Sequence, residues 1–140
     1  MRNTLATCDA LLAKAQRACA SAHTLLRDHD PDGASGRAYY AMFNAARAVL
    51  LAACAPHAPA IPHKHAGIIS AFGLFLTRNH PELKELGHTL NRAQQIRRVA
   101  DYNGDLVDER TAQEMAEQAA AFIAAVQDTI LPQMKRITGA

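Results

Sequence analysis

The sequence predicts an all-α protein in which four or five helices pack as an antiparallel bundle within a single domain. Three observations favour this fold: an alanine-rich composition, apolar residues that recur at helical spacing, and Pro and Gly clusters that divide the chain. Hydrophobic residues make up 49% of the chain, and aromatic residues only 5%. Alanine is the best helix former, and the shortage of β-branched and aromatic residues disfavours a sheet. A length of 140 residues suits one domain with its own core.

The first two predicted helices are long and are separated by a turn. The first runs from about Thr4 to Asp28, and the second begins within residues 32–35 and ends near Cys54. Between them, the segment 30–36 is rich in Asp, Pro and Gly, which favour turns. Each helix has an apolar stripe, formed by Leu5, Leu12, Ala15, Cys19, Ala22 and Leu26 in the first and by Tyr39, Phe43, Ala46, Leu50 and Ala53 in the second.

A third, shorter helix is predicted from about Lys64 to Arg78. The preceding stretch, 55–62, cannot be helical because three prolines fall within seven residues. The sequence Asn79-His80-Pro81 ends the helix. Its predicted buried residues are Ile68, Ile69, Phe72, Phe75 and Leu76.

Two more helices complete the predicted bundle. The fourth begins at Pro81, because proline suits the first position of a helix, and it runs to about Tyr102. An Asn-Gly-Asp turn follows it. Asp108 is the predicted N-cap of the fifth helix, which runs to about Ile137 and is kinked by Pro132. The apolar stripes are Leu83, Leu86, Leu90, Ala93 and Ala100 in the fourth helix and Met115, Ala119, Phe122, Val126 and Ile130 in the fifth.

Charge, hydropathy and cysteine content disfavour a strong non-specific nucleic-acid binder, a membrane protein and a secreted protein. A net charge of +2 is too balanced for a strong non-specific grip on nucleic acid, although it allows a local basic patch. No run of about 18 apolar residues occurs, so we expect no membrane span, and the N-terminal stretch does not resemble a secretory signal. The three cysteines, Cys8, Cys19 and Cys54, are odd in number and lack CxxC spacing. They indicate free thiols in a reducing compartment, and hence a cytoplasmic protein.

Three segments carry a resemblance to a known family. They are Gly-Arg-Ala-Tyr-Tyr-Ala-Met-Phe-Asn-Ala-Ala-Arg-Ala at 36–48, Lys-His-Ala-Gly-Ile-Ile-Ser-Ala-Phe at 64–72 and Arg-Arg-Val-Ala-Asp-Tyr at 97–102. In order and spacing they resemble the HEPN-domain family of bacteria and archaea, in particular its small single-domain branch, which is related to the toxins of nucleotidyltransferase/HEPN toxin–antitoxin modules. The resemblance implies one HEPN-like domain over 1–140, with a core from about 5 to 125.

The resemblance points to a site at the end of the fourth helix. Many HEPN proteins are metal-independent ribonucleases that use an Arg and, four to six residues later, a His, paired across a homodimer. The His moves a proton, and the Arg stabilises the charged phosphorane. By this resemblance the catalytic residues are Arg97, Asp101 and Tyr102. The expected His is absent, because His88 is the last histidine of the chain.

A subset of HEPN toxins carries Arg-x4-Tyr-x-His, and a partner nucleotidyltransferase adenylylates that Tyr. Arg97 and Tyr102 match the first part, whereas Gly104 replaces the His. The resemblance therefore implies that Tyr102 is a modification acceptor and that the partners are a cognate nucleotidyltransferase, RNA and a second copy of the chain. Two functions stay open: an RNA- or nucleotide-interacting protein of a toxin–antitoxin or defence module, with a degenerate ribonuclease site, or a non-catalytic binding module.

A further set of polar residues is predicted to bind nucleic acid or a nucleotide: Arg37, Tyr40, Asn44, Arg98 and Asn103. The first three recur at i, i+3 and i+7, on one helical face. That face is either a polar seam bonded to another helix or a wall of a cleft beside Arg97 and Asp101. Arg97 and Asp101, four residues apart, form either an ordinary ion pair or a phosphate-positioning pair. Tyr102 is either a packing residue or a reactive one.

The histidines and the Gly-containing turn indicate neither a metal nor a cofactor. His57, His63 and His65 lie close together in sequence, but no Cys or carboxylate lies near them, so we predict no metal site. His65 is an alternative, displaced base if its helix faces Arg97. The turn 32–36 lacks the Lys-Ser/Thr of a phosphate-binding loop, and no cofactor is predicted.

Overall fold

A computed structural model describes residues 4–54 and 64–138, apart from the side chains of 4, 5, 54 and 135–138. Its α-helices are α1 (Thr4–Arg27), α2 (Pro31–Cys54), α3 (His65–Asn79), α4 (Glu85–Asn103), α5 (Glu109–Ala125) and α6 (Leu131–Thr138). A 3-10 turn, Pro81–Leu83, precedes α4, and a π-helical turn, Val126–Ile130, joins α5 to α6. No strand occurs in these ranges, and the predicted all-α bundle is confirmed.

Helix α2 is the centre of the bundle. It packs most extensively against α1 and α5 and also contacts α3 and α4, whereas α4 makes little contact with α5. Small side chains let the neighbouring helices approach α2 closely, and many of its alanines are completely buried, namely Ala34, Ala38, Ala41, Ala45, Ala46 and Ala48. Since only a tight turn separates α1 from α2, the two helices run antiparallel.

Two apolar clusters hold the helices together. The main core joins every α-helix; at its centre Phe72 of α3 packs against Phe122 of α5, with ring centroids 5.4 Å apart. A smaller satellite cluster lies where the ends of α1 and α4 meet the starts of α2 and α5. It consists of Ala34, Ala100, Val107 and Ala112, flanked by Leu25, Leu26 and Ile96.

The start of the fourth predicted helix is wrong. Pro81 opens a separate 3-10 turn, and α4 begins only at Glu85. The amide of Leu83 donates to the carbonyl of His80 at 2.8 Å, and that of Lys84 donates to the carbonyl of Pro81 at 3.3 Å. These i to i−3 bonds close a tighter turn than an α-helix does.

The kink predicted at Pro132 takes the form of a wider turn. Proline has no amide hydrogen to donate, and its ring clashes with the carbonyl of the preceding helical turn. The chain accommodates this with the π-helical turn, which ends where the amide of Leu131 donates to the carbonyl of Val126. The predicted cap at Asp108 is confirmed, because its carboxylate accepts the amide of Thr111 at 2.7 Å.

The described part of the chain also tests two expectations from the sequence, namely that no helix spans a membrane and that the cysteines are free thiols. None of its helices combines the length and the apolarity that a bilayer span requires. Cys8 and Cys19 are free and buried in α1. Burial raises the pKa of both thiols, so they are less reactive than exposed cysteines. The side chain of Cys54 lies outside the described residues.

Candidate functional site

Arg97, near the end of α4, is held between α4 and the first turn of α2. Its side chain is only 14% exposed. One terminal nitrogen, Nη1, donates to Asp32 Oδ1 at 2.9 Å and to Ser35 Oγ at 2.8 Å. The other, Nη2, donates to Asp101 Oδ1 at 2.5 Å. The guanidinium group is therefore bound to two carboxylates and a hydroxyl within the chain itself.

The first turn of α2 is shaped to receive this side chain. A Cβ atom placed on Gly36 would lie 3.8 Å from Cζ of Arg97, so the guanidinium lies directly over the glycine. The Ser35 hydroxyl is buried; it accepts from Arg97 and donates to the carbonyl of Asp32 at 2.8 Å. Sequence reasoning did not identify Asp32, Ser35 or Gly36 as partners of Arg97. The sequence did contain one indication: Asp32 lies in the first turn of α2, where the helix dipole favours an acidic residue.

The carboxylate of Asp32 connects three segments of the chain. Besides Arg97, it accepts the backbone amide of Val107 at 3.2 Å, in the linker between α4 and α5. Burial by itself would raise the pKa of Asp32. The amide of Val107 and the guanidinium of Arg97 together outweigh burial and hold that pKa below its usual range. Asp32 is thus an ionised bridge between the start of α2, the end of α4 and the linker.

The residues next to Arg97 face the solvent. Tyr102 is 92% exposed in the last turn of α4, and Arg98 and Asn103 are exposed as well. Gly104 ends the helix with φ at 73°, the left-handed conformation that favours glycine. Of the three predicted catalytic residues, the structure brings Arg97 and Asp101 together and leaves the phenol of Tyr102 in the solvent.

The polar residues predicted on α2, Arg37, Tyr40 and Asn44, contact one another or their neighbours along the same helix. The guanidinium of Arg37 lies over the ring of Tyr40, 4.8 Å from its centroid. The fully buried amide of Asn44 donates to the carbonyl of Tyr40 at 3.2 Å and accepts from Arg47 at 3.3 Å. All of these contacts lie within α2, so among the described residues they do not form the predicted seam to another helix. The α2 residues bonded to Arg97 lie nearer the start of the helix, at Asp32 and Ser35.

His65, at the start of α3, contacts α2 away from the Arg97 group. Its Nδ1 lies 2.7 Å from the hydroxyl of Tyr39, and its ring stacks on Phe43 with centroids 4.0 Å apart. Burial raises the pKa of Tyr39 to about 12. These contacts tie α3 to α2 and do not involve the Arg97 group. His57 and His63 lie outside the described residues, and within the described ranges no group of His, Cys, Asp or Glu could hold a metal ion.

A groove of about 430 Å³ lies between the end of α4 and the linker to α5. Its apolar walls include Val99, which is 57% exposed, and Leu106, which is 80% exposed. Its floor is formed by the buried side chains of Ala100 and Val107, which belong to the satellite cluster. Asp105 and Asp108 also line it. This groove was not predicted from the sequence, because no role was assigned to Leu106 and Val107, which lie between the predicted turn and the predicted N-cap.

Comparison with known proteins identifies the family. The family model of the HEPN domain matches residues 8–129. Putative toxin MJ0605 of Methanocaldococcus jannaschii is 32% identical over 129 residues, which are 91% of this chain and 89% of that protein. A UPF0332 protein of Thermotoga maritima is 30% identical over 125 residues, 88% of this chain and 89% of that protein. No solved structure matches the chain significantly. On the family match and the two relatives, the chain belongs to the HEPN domain family.

Proposed function

We propose that this protein is a HEPN toxin-type component of a toxin–antitoxin or defence module, and that it works by binding a partner nucleotidyltransferase rather than by cleaving RNA. The family membership and the relative named as a toxin support the toxin-type module. One observation carries the choice of binding over cleavage: both terminal nitrogens of Arg97 are bound to carboxylates of the chain itself.

The chemistry of RNA cleavage explains why the pairing of Arg97 argues against a ribonuclease. Cleavage through the 2′-hydroxyl needs a group that moves a proton and a cation that stabilises the negative charge of the phosphorane. No histidine follows Arg97 in the chain, and the charge of Arg97 is balanced by Asp32 and Asp101. A guanidinium that is already paired has little attraction left for a phosphate. The exposed carboxylates of the adjoining linker add repulsion.

Tyr102 is the proposed point of action of the partner. Its phenol is almost fully exposed at a helix end, where another enzyme can reach it without unfolding the bundle. In the proposed reaction, the phenol oxygen attacks the α-phosphate of ATP, a phosphodiester bond to AMP forms, and pyrophosphate leaves. The phenol proton passes to a base of the nucleotidyltransferase.

A role in binding RNA or a nucleotide is the second candidate, and a separate observation favours it. Arg98 and Asn103 flank Tyr102 and are exposed, and Arg37 lies over the ring of Tyr40 on α2. In a homodimer these groups would occur twice around one cleft. This candidate predicts salt-dependent binding of RNA that weakens when Arg98 is replaced.

A cleavage assay tests the choice. Purified protein is incubated with a fluorescently end-labelled single-stranded RNA in the presence of EDTA, beside the variants Arg97→Ala and Arg98→Ala. We expect the same background cleavage from all three proteins. Robust cleavage by the wild type that disappears in Arg97→Ala would overturn the proposal and establish a ribonuclease.

A labelling assay tests the partner. The protein is mixed with radiolabelled ATP and a nucleotidyltransferase encoded beside its gene, and incorporation of AMP is followed by mass spectrometry. We expect one AMP on the wild type and none on Tyr102→Phe, while Tyr40→Phe is labelled like the wild type. Labelling of Tyr102→Phe would show that the acceptor lies elsewhere.

A further inference from the structure

We infer that the groove between α4 and the linker is a docking site for a polypeptide segment of the partner, and that this segment carries a large aliphatic side chain beside Lys or Arg. The inference rests on the proposed function, because it names the chemistry by which a partner protein is recognised next to Tyr102. It is carried by three features of the groove: exposed apolar walls, a pre-formed floor and an acidic rim.

The apolar walls are unusual for a solvent-facing surface. The described part of the chain has four large hydrophobic residues that are clearly exposed, and Val99, Tyr102 and Leu106 are three of them. They fall within eight consecutive residues, whereas the fourth, Leu74, is isolated on α3. Single exposed apolar residues are ordinary, but a contiguous patch beside a cavity marks an interaction surface.

The groove is shallow and open to the solvent, and its floor is part of the folded bundle. Ala100 lines the groove and has only a methyl side chain, so it leaves space for an apolar side chain of a partner. The linker is fastened beside this space, because the amide of Val107 is bonded to Asp32, which in turn is bonded to Arg97. The Arg97–Asp32 pair therefore acts as a positioning device for the wall that bears Leu106.

The charge on the rim selects the occupant. Asp105 and Asp108 line the groove, and among the described residues neither forms an ion pair with Lys or Arg. Hydrogen bonds from the side chain and then from the backbone amide of Thr111 hold the pKa of Asp108 below its usual range, so this carboxylate stays ionised at neutral pH. An acidic rim repels phosphates and attracts cationic side chains. A segment with an apolar anchor and an adjacent Lys or Arg satisfies both the walls and the rim.

Selection from a random peptide library tests the inference with sequences that are not biased towards any one partner. A phage-displayed library of random 12-residue peptides is selected on immobilised wild-type protein and depleted on the Leu106→Glu variant. We expect the enriched peptides to share Leu, Ile, Met or Phe next to Lys or Arg. A library that yields no enrichment, or that yields acidic peptides, would overturn the inference.

Affinity measurements then locate the site. One enriched peptide is synthesised with a fluorescent label, and its binding is measured by fluorescence polarisation. Val99→Ser and Leu106→Ser should each weaken binding about tenfold, as the loss of a central apolar contact does. Leu74→Ser, an exposed leucine on a different helix, is the matched control and should bind like the wild type. Equal loss in Leu74→Ser would show that the peptide does not use the groove.

The charge on the rim is tested separately. The double change Asp105→Asn and Asp108→Asn removes both charges, and asparagine can still cap α5. It should weaken peptide binding several-fold and reduce its dependence on salt. Unchanged affinity would overturn the role of the rim.

A second copy of the chain is the competing occupant, and light scattering after gel filtration distinguishes it. If Leu106→Glu converts a stable dimer to a monomer, the groove is a self-association face and the inference fails. The RNA assay is independent of these measurements. A protein that does not cleave RNA and selects no peptide keeps the proposed function and loses the groove as its docking site.

Discussion

At the scale of single residues, Arg97 shows how one side chain can link distant parts of the chain. It joins Asp32 and Ser35, more than sixty positions earlier, to Asp101 on its own helix. The i, i+4 pair with Asp101 was foreseeable from spacing alone. The pairing with Asp32 was not, because only the packing of α4 on α2 brings the two residues together. The position of Arg97 in the motif is therefore explained first by its structural contacts, which join α4 to the start of α2.

Arg97 and its neighbour Arg98 provide a matched pair for measuring this role. Arg97→Ala leaves the partly buried Asp32 without its cation, and we expect a loss of about 1–3 kcal/mol in the free energy of unfolding. Arg98→Ala removes an exposed side chain and should change stability by less than about 0.5 kcal/mol. Urea denaturation followed by circular dichroism measures both. Equal stability of the two variants would contradict the structural role of Arg97.

Asp32 makes the stability of the protein dependent on pH. Its pKa is lower in the folded chain than its usual value, so the ionised form stabilises the fold. This contribution is complete above the unfolded-state pKa of about 3.9 and is lost as the pH falls through the lower, folded-state value. We expect wild-type stability to fall below about pH 4, and Asp32→Asn to lose less over that range. Asp9→Asn, at an exposed position in α1, should retain the wild-type profile.

At the scale of elements, the end of α4 determines the geometry of the candidate site. The helix stops at Gly104, and the chain then turns so that Leu106 faces outward and Val107 inward. In the last helical segment, Asp108 caps the start of α5, and Pro132 follows the π-helical turn that joins α5 to α6. These local signals were visible in the sequence, but the 3-10 turn at Pro81 was not, because proline suits the start of either helix type.

Two glycines should respond in opposite directions to the same substitution. At Gly104, φ is 73°, so Gly104→Ala forces a side chain into the left-handed region and should cost about 1 kcal/mol. Gly73 lies within α3, and a Cβ atom there meets nothing within 4 Å, so Gly73→Ala should stabilise by about 0.4–1 kcal/mol. Thermal unfolding of both variants gives the signs. Stabilisation by Gly104→Ala would contradict the left-handed helix end.

At the scale of the whole molecule, the sequence predicted the bundle better than the site. Helical spacing located α1, α2 and α3 closely, because their buried faces repeat along one element. The contacts of Tyr39 with His65, and of Arg97 with Asp32, depend on how separate helices pack, which no pattern within one helix records. The satellite cluster was missed for a similar reason: Ala100 was predicted to face inward, but its packing with Ala34, Val107 and Ala112 joins separate elements.

The bond from the amide of Val107 to Asp32 has a consequence for how this protein can diverge over time. It involves the main chain of residue 107, so it is indifferent to the side chain there and forbids only proline, which has no amide hydrogen. Positions 32 and 97 meet through their side chains, so a change at either one breaks the ion pair. Across relatives, we therefore expect an acid at the first position and an arginine at the second to appear or vanish together.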